Sequence, residues 1–319
     1  MSKWFRVAGV ACLIGMGMAC GRISRVMDAN RDEAKPPPNP VSERAGSLDE
    51  NWKKRVKPVS FATQGRDRTA AIHVPEGYDA SKAWPLVLMF HGGKDSSGKA
   101  VAPHWKHVLD QDFLVVFPNG QREDPTVPSW KVDDANDLSD VQLVRDLIGQ
   151  IGQRYNIDDR RVYAAGFSNG GMQTMMLACH ASDLFRGVAV VHQTLHHHLA
   201  ESCAPDKALP MLYINGTADD HWPGRYFSKS ALETVDWWAG HHGCDVSQLE
   251  KTRVPDRGQD ETEVEHWRYG ACSRAPLEFF YIEGGGHSWP GSDYKGSHHC
   301  MDIRATDEVL RFWREHAGF

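Results

Sequence analysis

From about residue 55 onward, short apolar runs alternate with longer stretches in which apolar positions recur every three or four residues. The runs Ala70–Val74, Leu86–Phe90, Phe113–Phe117, Val162–Phe167, Val188–Val191, Met211–Ile214 and Glu278–Ile282 predict strands. Residues 85–90 are apolar without alternation, which is the pattern of a strand buried on both faces of a parallel sheet. Residues 140–155 place Val144, Leu147, Ile148, Ile151 and Tyr155 on one helical face, and Ser139 with Gln142 predicts a capping box before it. A last helix is predicted from Thr306 as N-cap, turning Val309, Leu310 and Trp313 inward. Strand–helix alternation implies βαβ crossovers, hence an α/β fold with a mostly parallel central sheet and helices on both faces. No internal repeat interrupts it.

The N-terminal pattern is different. Lys3 and Arg6 precede an apolar stretch from Val7 to Ala19, too short to span a bilayer and shaped like the h-region of a signal peptide. It ends in Gly17-Met18-Ala19-Cys20, which predicts a lipoprotein-type signal over 1–20 with Cys20 as the lipidated residue. Residues 21–51 are polar and contain Pro36-Pro37-Pro38-Asn39-Pro40, a composition that predicts an extended, disordered tether. Residues 52–319 are left as a single folded domain, and 41% hydrophobic content over 319 residues suffices for its core. A formal net charge of −6 and the lack of a basic run exclude nucleic acid as a partner; a membrane enters only through the anchor.

Candidate chemistry clusters at strand ends. The run Val162-Tyr-Ala-Ala-Gly166-Phe167-Ser168-Asn169-Gly170 is a strand leading into G-x-S-x-G, with a helical pattern directly after it. That arrangement is the nucleophile elbow of the α/β-hydrolase fold, which lifts a serine hydroxyl out of the sheet edge. A serine nucleophile needs a base, and the base needs a carboxylate to hold its tautomer; in this fold the order is Ser, acid, His. Met211–Ile214 runs into Asn215-Gly216-Thr217-Ala218-Asp219, followed by Asp220, and spacing does not choose between the two acids. Leu277–Ile282 runs into Glu283-Gly284-Gly285-Gly286-His287, which sets His287 apart from sixteen other histidines. His91-Gly92-Gly93 after the strand at 86–90 supplies a turn that can aim the Gly93 amide; with the Asn169 amide it forms the expected oxyanion hole.

The segments HGG at 91–93, GFSNGGM at 166–172, NGTADD at 215–220 and GGGHSWPG at 284–291 resemble the polyhydroxybutyrate depolymerase and feruloyl esterase family. These are secreted carboxylester hydrolases of the α/β-hydrolase superfamily. The resemblance covers roughly 55–319 and implies that 52–319 is a catalytic domain without a cofactor. It implies a triad of Ser168, Asp219 and His287, which selects Asp219 over Asp220. The implied substrates are polyhydroxybutyrate-type polyesters or oligomers, or feruloyl and acetyl esters of plant polysaccharides. It also implies the disulfides Cys179–Cys203 and Cys244–Cys272, which suit an oxidising compartment and leave Cys300 free or intermolecular.

Two segments depart from the family. Val188–Leu199 carries four histidines where a small-residue turn is expected, and Asp220–Gly224 carries Trp222 in place of an aliphatic residue. His192 with His196, the run His196-His197-His198, and His298-His299-Cys300 hold ligand types for zinc but no recognised metal spacing. No metal site is expected; residues 196–198 are expected to line or cap the substrate groove and to titrate near neutral pH. Trp222 and Trp289, near the acid and the histidine, are expected to offer ring faces to substrate, with bracing of the His287 loop as the alternative for Trp289. Two rival readings keep the fold: a catalytically silent, surface-anchored carbohydrate- or polymer-binding lipoprotein, and a serine peptidase. The complete Ser168–Asp219–His287 set argues against the first, and no propeller or long lid domain is visible to support the second.

Overall fold

Ten strands among the described residues join one sheet: β1 (Val56–Thr63), β2 (Arg66–His73), β3 (Trp84–Phe90), β4 (Leu114–Pro118), β5 (Ile157–Phe167), β6 (Gly187–Val191), β7 (Met211–Gly216), β8 (Leu249–Arg253), β9 (Glu263–Tyr269) and β10 (Leu277–Glu283). The computed structural model describes residues 52–93, 97–120, 129–219, 227–293 and 298–319; the predicted leader, the tether and Cys20 lie outside them. The spatial order is β1-β2-β4-β3-β5-β6-β7-β10-β9-β8. The middle six strands run parallel, and each side is extended by antiparallel pairs. With the four longer helices α1 (Ser139–Gly152), α2 (Asn169–His180), α3 (Ala231–His242) and α4 (Ala305–His316), this is the α/β-hydrolase arrangement.

The unbroken apolar run of β3 is explained by its position. All seven residues are buried, with Leu86, Leu88 and Phe90 entering the core on one sheet face and Val87 and Met89 the core on the other. The first core is completed by Leu143, Val144 and Leu147 of α1, Met172 and Met176 of α2 and Trp238 of α3. The second takes Val309, Leu310 and Trp313 of α4 together with Trp105 and Leu109. Burying each such side chain contributes roughly 1.5–3 kcal/mol.

Strands β1, β8 and β9 escape the apolar-run criterion. β1 carries Lys57 and Pro58 and β8 reads Leu-Glu-Lys-Thr-Arg, because both are edge strands with one side facing water. β9 buries only Val264, Trp267 and Tyr269 and is held by its antiparallel register with β10. The helix starts also differ from expectation. Ser139 makes no capping box; the Asp137 carboxylate accepts its backbone N–H at 3.0 Å instead. Thr306 lies inside α4, where its hydroxyl donates to the His104 carbonyl at 2.8 Å.

Two disulfides close the pairing that the resemblance implies. Cys179–Cys203 ties the end of α2 to the segment after β6, and Cys244–Cys272 ties the end of α3 to the β9–β10 connection. Cys300 is free and buried among apolar residues, and burial pushes its thiol pKa up. Glu278 of β10 pins α4 to the sheet: it accepts hydrogen bonds from His266 at 2.7 Å, Arg311 at 2.5 Å and His316 at 2.9 Å. Burial alone would raise its pKa, but the hydrogen bonds from His266 and Arg311 outweigh that and bring it to about 2.

Replacing Cys179 and Cys203 together with alanine is expected to lower stability by about 3 kcal/mol, read from the urea unfolding midpoint, because the bridge closes a loop of a few tens of residues. The Glu278 carboxyl sits below its ordinary 4.5 when folded, so its contribution is complete above pH 4.5 and is lost as pH falls toward about 2. Thermal melts across that window are expected to show a falling Tm, and Glu278→Gln should flatten the slope.

Candidate active site

Ser168 stands between β5 and α2 with φ 55° and ψ −125°, a left-handed backbone for a residue with a side chain. The turn closes so tightly that a Cβ on Gly166 would lie 2.0 Å from the Gly170 carbonyl oxygen, and one on Gly170 would lie 2.3 Å from the Phe90 carbonyl oxygen. Only glycine satisfies both approaches. The Ser168 N–H donates to the Val191 carbonyl of β6 at 3.0 Å, and its own carbonyl accepts from Met172 at 3.1 Å as α2 begins.

Five loops meet at this end of the sheet, one after each of β3, β5, β6, β7 and β10. Ser168 Oγ lies 2.9 Å from His287 Nε2, and His287 Nδ1 lies 3.0 and 2.9 Å from the two oxygens of Asp219. With Nδ1–H donating to the carboxylate, Nε2 presents the lone pair that accepts the serine proton. Burial would raise the Asp219 pKa, yet hydrogen bonds from His192 and His287 hold the carboxyl well below its usual range. The acid is therefore an anion wherever the protein is folded near neutral pH. The Thr217 N–H donates to Ile282 O at 2.9 Å and the Ala218 N–H to Gly285 O at 2.9 Å, which fixes the acid loop against the histidine loop. Asp220 and Trp222 lie outside the described residues.

The loop after β3 packs against the elbow. A Cβ on Gly92 would meet Phe167 at 3.3 Å and Ser168 Cβ at 3.4 Å; one on Gly93 would meet Asn169 Cβ at 3.5 Å. The carbonyls of this loop are engaged elsewhere: His91 O accepts from Trp130 Nε1 at 2.9 Å, and Gly92 O accepts from His91 Nδ1–H at 2.6 Å. Since the peptides are trans, the Gly93 N–H points opposite to the Gly92 carbonyl and so away from the His91 ring. His91 Nε2 accepts from Gly120 N at 2.9 Å, and burial lowers its pKa to about 4, keeping the ring neutral in this bracing role. Asn169 at the start of α2 accepts from Trp130 N at 2.6 Å through its side chain, which anchors the beginning of the helix.

The structure brings together Ser168, Asp219, His287 and the 91–93 loop that the sequence singled out, beside neighbours to which it assigned no role. His91 was within the glycine-rich motif without an assigned role, and Trp130 carries no local signal at all. His192 belonged to the segment marked as a departure; its Nδ1 lies 2.9 Å from Asp219 Oδ2.

Two expectations are corrected. Trp289 offers no face to substrate: it is 2% exposed, stacks on His104 with centroids 5.5 Å apart, and donates from Nε1 to Thr306 at 3.1 Å. It braces the histidine loop. His196, expected in the groove and titrating near neutrality, is 5% exposed, and burial lowers its pKa to about 4; its Nδ1 lies 3.3 Å from His198 Nε2. The pair His298-His299 also holds the loop of His287, through Gly286 N to His298 O at 2.8 Å and Ser288 Oγ with His299 Nδ1 at 2.8 Å. Among the described residues, two groups bring ligand-type atoms within 4.8 Å of one another, His192–Asp219–His287 and Glu278–Glu315–His316. In the first, both imidazole Nδ1–H groups point at the carboxylate, a geometry for moving a proton.

Trp289→Phe is expected to lower stability by about 1–2 kcal/mol through the lost hydrogen bond and partial cavity. KM for ester substrates should stay within about twofold of wild type, as the ring has no exposed face; a large rise in KM in steady-state assays would contradict the burial.

The chain resembles known proteins in both sequence and fold. It is 29% identical over 158 residues to "Feruloyl esterase B" of Piromyces equi, covering 48% of this chain and 29% of that protein. It is 31% identical over 247 residues to "Poly(3-hydroxybutyrate) depolymerase" of Ralstonia pickettii, covering 69% of this chain and 46% of that protein. The chain thus spans less than half the length of either relative. Among solved structures, an acetyl xylan esterase from Aspergillus awamori superposes with a TM-score of 0.58 at 18% identity, over 80% of this chain and 98% of that one. Residues 61–229 match the family model described as a putative esterase, and the chain belongs to that esterase family.

Proposed function

We propose that this esterase-family protein hydrolyses carboxylic esters through Ser168, His287 and Asp219. The observation that carries the reading is the continuous chain from Ser168 Oγ to His287 Nε2 at 2.9 Å and from His287 Nδ1 to Asp219 at 2.9 Å, set on a strained elbow. Ser168 Oγ attacks the ester carbonyl as His287 takes its proton, and the oxyanion is received by the amides of Gly93 and Asn169. His287 then protonates the leaving alcohol. A water molecule, deprotonated by the same imidazole, attacks the acyl-serine and releases the acid. Asp219 stays ionised throughout and stabilises the imidazolium. No step calls on a cofactor.

The proposed substrates are 3-hydroxybutyrate oligomers or polyester, and feruloyl or acetyl esters of plant polysaccharide. Support comes from the names of the similar proteins, a depolymerase of poly(3-hydroxybutyrate), a feruloyl esterase and an acetyl xylan esterase. Export is proposed on the same footing. Two disulfides suit an oxidising compartment, and the segment ending at Cys20 has the pattern of a lipoprotein signal.

Initial rates on methyl ferulate, on soluble 3-hydroxybutyrate oligomers and on a simple acetyl ester test the reading. Ser168→Ala should reduce turnover of the preferred ester by on the order of 10⁴–10⁶-fold while leaving the fold intact by circular dichroism. Equal rates with and without the Ser168 hydroxyl on all three esters would refute it.

A further inference from the structure

We propose that His192 is a positioning residue for the acid of the triad, holding the Asp219 carboxylate between two imidazoles and fixing its orientation toward His287. This rests on the reading that Ser168, His287 and Asp219 carry out ester hydrolysis. His192 Nδ1 lies 2.9 Å from Asp219 Oδ2, while His287 Nδ1 is nearly equidistant from Oδ1 and Oδ2 at 3.0 and 2.9 Å. The two rings stand 5.9 Å apart at 80°, so they approach the carboxylate from different directions. A second donor arriving from a different direction narrows the orientations open to the carboxylate about its Cβ–Cγ bond.

The backbone at this position is built for the contact. His192 has φ 51°, a left-handed conformation that favours glycine or asparagine, and its ring is 1% exposed. Its N–H donates to Ile214 O of β7 at 2.8 Å, and the preceding residue, Val191, accepts the N–H of Ser168 at 3.0 Å. A single dipeptide at the end of β6 thus fastens the nucleophile on one side and the acid on the other. Packing alone would be served by a small residue at such a turn; the imidazole adds a donor aimed at Asp219.

The donor is neutral. Desolvation lowers the His192 pKa, more than the hydrogen bond and charge of Asp219 raise it, so the ring supplies an N–H dipole without a positive charge. Asp219 therefore keeps its full charge to stabilise the imidazolium of His287. Among the described residues, the other titratable groups facing this pair include His299, which acts on His192, and the Tyr213 phenol, which Asn215 Nδ2 engages at 2.8 Å. Without His192, the carboxylate loses one donor and its negative charge acts more strongly on the His287 imidazolium.

His192→Leu and His192→Asn separate the donor from the packing. The two side chains have nearly the same shape, asparagine keeps an N–H close to the place of Nδ1, and it tolerates positive φ. The expected result is a kcat about tenfold lower for His192→Leu, with KM within about twofold and the acid limb of the kcat/KM profile moved up by about half a pH unit. His192→Asn should recover kcat to within about threefold of wild type. A leucine variant with wild-type kcat and acid limb, or an asparagine variant as impaired as leucine, overturns the proposal.

A measurement on the unaltered protein removes dependence on how the variants fold. ¹⁵N-histidine spectra should show His192 as the neutral Nδ1–H tautomer from about pH 5 to 9; an Nε2–H tautomer overturns the proposal. The tautomer reads the hydrogen bond to Asp219 alone. Loss of Ser168-dependent turnover would instead remove the hydrolase reading, so the two failures remain distinct.

Discussion

The close passage of the β5–α2 turn against the end of β3 governs the geometry of the site. With Gly170 pressed to the Phe90 carbonyl and Gly166 pressed to Gly170, the chain has no room for a side chain two residues to either side of Ser168. The serine is consequently forced to positive φ, and its hydroxyl is directed out of the sheet. Strain of this kind costs about 1–3 kcal/mol and persists only where the surroundings determine it. Here the surroundings are β3, β5 and β6, parallel strands buried on both faces, whose cores leave the turn no other course. Residue 92 must then be small as well, because Phe167 and Ser168 lie against it.

Once the turn is fixed, adjacent strands deliver the remaining groups. β3, β5, β6, β7 and β10 are neighbours in the sheet, and each ends in a loop that brings one residue of the candidate site: Gly93, Ser168, His192, Asp219 and His287. In parallel sheets the carboxyl ends of the strands all lie along one border, so groups far apart in sequence arrive together without long connecting arms. Backbone bonds between the loops, such as Ala218 N to Gly285 O, keep that border rigid. The hydrogen-bond chain from Ser168 to Asp219 follows from sheet order more than from any single loop.

The central strands and the triad candidates were legible because each is locally encoded. β3 is an unbroken apolar run, the elbow needs its glycines at fixed offsets, and Asp219 and His287 follow strands on glycine-bearing loops. β1 and β8 were not legible, since an edge strand lacks the continuous apolar pattern that burial on two faces imposes. The cap of α1 was misread because Asp137, two residues upstream, outcompetes the serine that sequence offers. Trp289 illustrates the same limit: proximity in sequence to His287 left a substrate face and bracing of the loop both open, and the side chain turns inward to His104 and Thr306. His192, within the segment marked as a departure, and Trp130 contact partners 27 and 39 residues away, and no local pattern pairs them with those partners.

The two borders of the ten-stranded sheet bear on how the protein behaves at high concentration. β1 presents Lys57 and Pro58, and β8 presents Glu250, Lys251 and Arg253, with Lys251 folded over the Trp267 ring at 3.4 Å. Proline offers no N–H to an incoming strand, and charged side chains resist being laid against a like edge. A sheet this wide would otherwise be an open template for another copy of itself. Its terminal strands act as stoppers, so the molecule can crowd beside its neighbours without growing into a fibre.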